Sequence, residues 1–407
     1  MAKNLSIVAQ GISGAEGKLL GYNVTDNGIY TPAIGDVARD TTATYVAQDG
    51  TIKTAAENVA RVDYTNGVAE LLLEPESTNL VTYSEDFSQS YWGKTNASVQ
   101  SGYASPNGDN SAFKLIPNNG QGGNRSIGKA IDGLSGKYTF SIYAKESGFR
   151  YVHLRLRNSP NRQMVFDFQT EAFVFYGSGG FFVEGTMQKV GDFYRLSFTA
   201  DADESDIIGQ LFFSISVSQD GGNSTQFNGN GVDGVIIANA QLEALPYATS
   251  YIPTNGAIAT RGADSLTNFG SEQIIDSESG ILFFEGSGIL FATSMISLGL
   301  DQNNVYRFAF STSGTAIFST RVGSSNVTSL NNTVVYAFEN HKYICKYSNG
   351  NTEFYVDGVL IESSSETYNM PQGNSIMFTQ GNATTNPFYG RVRQVKHLPY
   401  NTDITTL

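Results

Sequence analysis

Cysteine is almost missing from this chain: among 407 residues there is one, Cys345. A single thiol cannot close an intrachain disulfide, so a disulfide scaffold and a cysteine-rich zinc module are both excluded. Histidine is nearly as scarce, and His153, His341 and His397 are too widely spaced to suggest a metal pair. No His-Glu-x-x-His and no Gly-x-Ser-x-Gly elbow occurs. No apolar run approaches a membrane span, and Met1 to Gln10 lacks the apolar core of a signal peptide. These absences predict a soluble protein assembled in the cytoplasm, without membrane insertion. Long amphipathic helices, heptads and strict repeats are also missing.

What is present favours strands. The chain carries 26 Phe and 22 Tyr, punctuated by 43 Gly, a mix suited to pleated surfaces and tight turns. At 407 residues it exceeds what one hydrophobic core usually serves, so two or more domains are expected. The net charge of −13, from 38 acidic against 25 basic residues, disfavours nucleic acid and anionic membranes as partners. A polar, neutral or cationic partner suits it better.

Taken in order, residues 1–38 hold scattered apolar groups, too few to form a core unaided, and read as an attachment arm. Residues 39–75 contain short strands around the Asp49-Gly50 and Asn66-Gly67 turns and are expected to pack on the first large domain. That domain, residues 76–257, reads as an antiparallel jelly-roll sandwich. In Tyr151-Val-His-Leu-Arg-Leu-Arg157 the period is two, with Val152, Leu154 and Leu156 on one face and Tyr151, His153, Arg155 and Arg157 on the other. Residues 258–279 are polar and read as a linker. Residues 280–407 form a second sandwich, with strands at Val305 to Phe310, Thr315 to Val322 and Thr333 to Phe338, and with Asn349-Gly350 and Asp357-Gly358 as hairpin turns. The predicted fold class is therefore all-β: two antiparallel β-sandwiches with an extended N-terminal segment.

Motifs for chemistry are sparse. Gly123-Asn-Arg-Ser-Ile-Gly128-Lys129 has most of a phosphate loop, but Ala130 replaces the hydroxyl residue and no helix follows. Gly229-Asn-Gly231-Val-Asp-Gly234 matches a dinucleotide pattern but runs into a strand, so it reads as a loop. Asp201, Asp203, Glu204 and Asp206, and Asp220, Asn223, Asn228, Asn230 and Asp233, are oxygen clusters of the kind calcium takes, without EF-hand spacing. Solvated loops are the simpler account, and no other cofactor is indicated. Cys345 shares a strand face with His341 and reads as a packed thiol. Aromatic and basic groups at Tyr91, Trp92, Phe149, Tyr151, His153, Arg155 and Arg157 are the candidate glycan-binding residues, because sugar rings stack on aromatic faces while planar polar groups hold hydroxyls.

One set of blocks carries a resemblance. Tyr45-Val46, Asp49 to Ala55, Arg61-Val-Asp-Tyr64, Leu71-Leu-Leu-Glu-Pro75, Thr78-Asn-Leu80, Tyr83 to Phe87 and Trp92 are followed by Ala240-Gln-Leu-Glu-Ala244, Ala248 to Thr254 and Thr260-Arg261. Together they resemble tailed-bacteriophage virion proteins of the tail fibre, minor tail or head spike type. The hairpin from Lys346 to Leu360 and the closing Phe388 to Val395 resemble the concanavalin A/laminin-G-like sandwiches, a likeness that covers about the last 130 residues. The resemblance implies a non-enzymatic virion protein, a fibre or spike adhesin for a host-surface glycan. It would be joined to other virion proteins by its N-terminal segment and assembled as a homo-oligomer, a trimer in the fibre reading. A capsid decoration or head fibre protein is the alternative, and a glycan-degrading enzyme a more distant one.

Overall fold

The computed structural model describes residues 5–8, 13–15, 18–24, 30–120, 124–132, 134, 136–157, 162–176, 184–202, 210–218, 227–269, 275–288, 294–299, 301–332, 339–373, 375–380 and 386–407. Among them the protein is all-β, with antiparallel strands and a single 3-10 turn at Ile404–Thr406. Two compact units emerge, and the sequence order does not separate them. One comprises Met1–Thr42, Ala55–Pro75 and Gly262–Leu407; the other comprises Ala43–Thr54 and Glu76–Arg261.

The unit built on Glu76–Arg261 is a sandwich of two six-stranded sheets. The first has the order Gly93–Thr95, Ser126–Asp132, Gln210–Ser218, Tyr151–Arg157, Arg162–Asp167, Ala172–Tyr176. The second runs Ala97–Tyr103, Ala112–Pro117, Gly234–Glu243, Gly136–Ser147, Phe193–Ala202, Glu184–Val190. Alternation fills the space between them: Val152, Leu154, Met164, Phe166 and Ile215 meet Phe140, Ile142, Leu196, Phe198 and Ile237 in one buried cluster. The second sheet is also covered on its other face, where Val46 and Ile52 pack with Tyr143, Phe193 and Tyr251. Val46 and Ile52 come from the hairpin Ala43–Val46 and Ile52–Ala55, which turns at Gly50 with φ +78°.

The other unit contains an eight-stranded sheet with the path Val359–Ser364, Asn351–Val356, His341–Ser348, Gly280–Gly288, Gly390–Leu398, Glu70–Leu73, Val62–Asp63. Gly390–Leu398 is long enough for two partners on one edge. Leu71 to Leu73 pair with Gly390 to Val392, and Leu5 to Val8 pair with Gln394 to His397. A five-stranded sheet has the order Ser325–Asn332, Ala316–Val322, Val305–Phe310, Ser294–Gly299, Ile376–Met377. Leu71, Leu73, Phe284, Tyr343 and Val395 join Tyr306, Phe308, Phe318 and Ile376 in the core. The Asp357-Gly358 turn has φ +50° and +79° and joins its strands as expected of that dipeptide.

Three expected boundaries differ from the observed ones. Within residues 39–75, only 43–54 lie in the unit of the first sandwich, because Leu71 and Leu73 are drawn into the core around Phe284 and Val395. The segment read as an arm holds strands that pair within the fold: Tyr30–Ala38 with Ser265–Thr267, and Leu5–Val8 with the C-terminal strand. Backbone pairing at a sheet edge supplies what its sparse apolar residues do not. The segment read as a linker is likewise partly folded, since Ala259–Arg261 pairs with Ser77–Asn79 and Leu266, Phe269 and Ile275 are core residues. The strand expected at Thr333 to Phe338 lies outside the described residues.

Candidate functional site

The residues that carry the resemblance converge, and what they build is a clasp. In the Glu76–Arg261 unit Asn79 is fully buried and satisfied on every side. Its Nδ2 donates to the carbonyls of Ala240 (3.1 Å) and Ile252 (2.8 Å), while its Oδ1 accepts from the amides of Val81 and Leu242, both at 3.1 Å. Gln241 Oε1 accepts from Ile252 N at 2.6 Å. Glu243 Oε1 accepts from Ser77 Oγ at 2.6 Å, and Oε2 accepts from Thr249 N at 3.0 Å. Thr254 Oγ1 donates to Val81 O at 2.6 Å. These side chains supply the backbone partners that irregular, buried segments cannot find in a ladder. Two signatures more than 150 positions apart thus form one polar knot.

The other unit uses charge for the same end. Arg39 Nη1 pairs with Asp264 at 2.8 Å, Arg61 Nη1 with Glu74 at 2.8 Å, and Arg61 Nη2 with Asp264. Arg61, Glu74 and Asp264 are buried, and the two carboxylates hold the Arg61 guanidinium above its ordinary range against the opposing effect of burial. Arg391 reaches Asp63 (2.6 Å) and Glu70 (3.3 Å), and Arg393 reaches Glu70 at 2.9 Å.

The expected glycan residues do not form an exposed platform. Trp92 is 2% exposed, packs on Phe87 with ring centroids 4.9 Å apart, and donates its indole N–H to Tyr83 O at 2.9 Å. Tyr91 is half-buried, edge-on to Trp92, with the Lys129 ammonium 5.0 Å from its ring centroid. Phe149 is buried against Phe227. On the polar face of Tyr151–Arg157, His153 is 0% exposed. Trp92, Phe149 and His153 therefore cannot offer a face to a sugar. Tyr151 is half-buried beneath the Arg150 guanidinium, itself fixed to Asp167 by bonds of 2.7 and 2.6 Å, and Arg155 Nε donates to Gln163 at 2.7 Å. Of Arg157 only the backbone is described.

A different face gathers polar groups. In the five-stranded sheet, Tyr306, Phe308 and Phe318 point to the core, so parity places Arg307, Ser319 and Arg321 on the opposite side. Register sets Arg307 opposite Ser319 and Ser297, and Arg321 opposite Val305 and Asn326. Arg307 Nε donates to Ser319 Oγ (2.8 Å) and Nη2 to Asn326 Oδ1 (3.2 Å); Arg321 Nη2 donates to Ser324 O (2.7 Å). Gln380 lies against both guanidiniums. With its oxygen turned toward them, as two donors require, it accepts from Arg321 Nη1 at 2.9 Å and Arg307 Nη1 at 3.0 Å. Asn386 is 2.9 Å from the Gln380 amide. Burial, and then the charge of Arg321, pull the Arg307 guanidinium below its ordinary range.

No protein-family model matches this chain, and no curated protein matches it. Among solved structures it is similar to the LG1-3 region of the laminin alpha2 chain, at 9% identity over 70% of this chain and 63% of that one, with a TM-score of 0.19. It is also similar to Trypanosoma rangeli sialidase, at 11% identity over 97% of this chain and 82% of that one, with a TM-score of 0.27. The chain thus spans less than two thirds of the laminin fragment. Neither likeness is strong enough to argue from.

The remaining motifs resolve simply. Ser126–Asp132 and Gly234–Glu243 are strands, so neither glycine pattern opens a helix; Gly123 lies outside the described residues. Asn230 Oδ1 accepts from the amides of Val232 (3.0 Å) and Asp233 (2.9 Å), closing its own turn. Asn228 is exposed, Asp201 is described for its backbone alone, and Asp203, Glu204, Asp206, Asp220 and Asn223 lie outside the described residues. Cys345 is fully buried, which pushes its thiol well up. His341 Nδ1 is 2.7 Å from Asp357 Oδ2. Parity in two alternating strands was a signal for Arg307 and Arg321; nothing local marks Gln380, which arrives from 59 or more positions away.

Proposed function

We propose that this protein is a non-catalytic component of a tailed-bacteriophage particle that binds a host-surface glycan. The observation that carries the binding half is the outer face of the five-stranded sheet. There Arg307, Arg321, Asn326, Gln380 and Asn386 bring planar polar groups over a floor containing Ser297 and Ser319. Such groups suit neighbouring hydroxyls in a way that a lipid or an apolar peptide would not use. The virion half rests on the sequence resemblance, several of whose residues, Asn79, Gln241, Glu243 and Thr254 among them, meet in the clasp. Assembly as a homo-oligomer, a trimer in the fibre reading, belongs to the same proposal.

Binding of the full-length protein to host cells, before and after removal of surface polysaccharide, tests it. Saturable binding that disappears on stripping supports the adhesin. Unchanged binding on stripped cells, or none to intact cells, overturns it. Immunogold labelling separates tail from head, and release of reducing sugar from host polysaccharide would replace the binding role with a degrading one.

A further inference from the structure

We infer that the Arg307–Arg321 pair is a carboxylate-binding site, so that the saccharide recognised on this face is an acidic one. The inference rests on the glycan-binding reading and narrows it to a substrate class. Each guanidinium carries five N–H donors. The acceptors on Arg307 are Ser319 Oγ, Asn326 Oδ1 and the Gln380 oxygen, and those on Arg321 are Ser324 O and the same Gln380 oxygen. All are neutral. Among the described residues no carboxylate is within ion-pair distance of either arginine, and residues 381–385, between Gln380 and Asn386, read Gly-Asn-Ala-Thr-Thr.

Arg195 likewise bonds neutral acceptors, Ser141 Oγ and Thr249 O, but five other arginines reach carboxylates. Acidic residues outnumber basic ones 38 to 25, and Arg39, Arg61, Arg150, Arg391 and Arg393 all hold carboxylates. Two adjacent cations, half-buried on one sheet face, repel each other, and among the described residues they recover hydrogen bonds but no opposite charge. Among the described residues, buried Arg321 Nε has no acceptor. The Gln380 oxygen sits where an anion's oxygen would bridge the two guanidiniums, a neutral occupant of a position better suited to charge. A carboxylate has two coplanar oxygens, one for each arginine, and its hydrogen bonds to guanidinium are charge-assisted. The protein's overall negative charge does not preclude this, because beyond about 8 Å it is screened at physiological salt while the arginines act in contact.

The test uses full-length protein and polygalacturonate, its methyl-esterified form, and dextran sulfate, with binding followed by biolayer interferometry. Wild type should bind polygalacturonate at least about 10-fold more tightly than the ester, and Arg307→Gln and Arg321→Gln should each lose about 10-fold or more. Melting curves check that the variants are folded; if either is not, the acid-versus-ester comparison on wild type decides. Equal binding of acid and ester, or unchanged binding in folded variants, overturns the inference. So does dextran sulfate binding as tightly as polygalacturonate, which would mark a general anion patch. If folded variants still bind host cells in a polysaccharide-dependent way, the carboxylate site falls and the glycan reading stands; if wild type binds no host polysaccharide, the glycan reading falls first.

Discussion

Replacing Asn79 by Ala removes the one side chain that serves four buried backbone groups at once. Its Oδ1 is a hydrogen-bond partner of Val81 N–H and Leu242 N–H, and its Nδ2 serves the carbonyls of Ala240 and Ile252. A buried donor left unsatisfied costs about 1–3 kcal/mol. Two such donors, with two weakened carbonyls, bring the expected loss to roughly 3–6 kcal/mol, a large part of the ~5–15 kcal/mol by which a domain is normally stable. For a unit of this size that corresponds to a Tm lower by roughly 6–24 °C. The assay is urea unfolding followed by the fluorescence of Trp92, the sole tryptophan, which is buried in the same unit's core. Asn79→Asp is the sharper control, since it keeps an acceptor for the two amides but turns an oxygen toward the two carbonyls, and should be at least as damaging as Ala. A midpoint shift worth less than about 1 kcal/mol at unchanged slope for Asn79→Ala would refute the account of the clasp.

Other outcomes follow from the charged groups. Arg61→Met should cost about 3–5 kcal/mol in a denaturant melt, because buried Glu74 would lose its Arg61 ion pair while Asp264 kept that to Arg39; a near-neutral result would mean that the network contributes little. The Arg150 bonds hold the Asp167 carboxyl down from 3.8 to about 2. That is roughly 2 kcal/mol at about 1.36 per unit, and about 1 once the exposure of Arg150 is allowed for. The group is depressed, so this stabilisation is present above pH 3.8 and lost as pH falls toward about 2; the stability gap between wild type and Asp167→Asn should close over that window. Glu85 behaves oppositely. Burial, reinforced by Asp109, raises its carboxyl, so its stabilisation is complete below pH 4.5 and is lost as pH rises through the raised value. Glu85→Gln should therefore melt at or above wild type at pH 8, and a lower Tm there would contradict the assignment.

The strands were legible because alternation is a property of local sequence: Val152 and Leu154, or Tyr306 and Phe308, declare their face without help from distant residues. The turns at Asp49-Gly50 and Asp357-Gly358 were legible for the same reason. What escaped was partnership. Leu71 to Leu73 read as a buried strand, but only the distant Gly390–Leu398 decides which core receives it. Period two sets His153 on the face opposite Val152, yet it cannot show that His153 is buried there too. Trp92 and Phe149 carry the chemistry of a sugar platform and the volume of core residues, and packing made them core. The alternation of Val305 to Phe310 and Thr315 to Val322 also sets the faces of Arg307 and Arg321, but that no described carboxylate lies beside them is a matter of distant packing.

The same long-range pairing puts a clock on the protein's birth. Glu70 and Arg391 are 321 positions apart, so at roughly 5–20 residues per second a ribosome needs on the order of 15–60 s to deliver the partner. Through that interval the Leu71-Leu72-Leu73 strand has left the tunnel with one edge unclaimed, while the whole of Glu76–Arg261 emerges and can close its own core. A nascent chain of this kind has reason to be held by a chaperone, and slow translation would lengthen its exposure. A fragment started at residue 76 would never wait at all, but it would lack the strand that Gly390 to Val392 are built to meet.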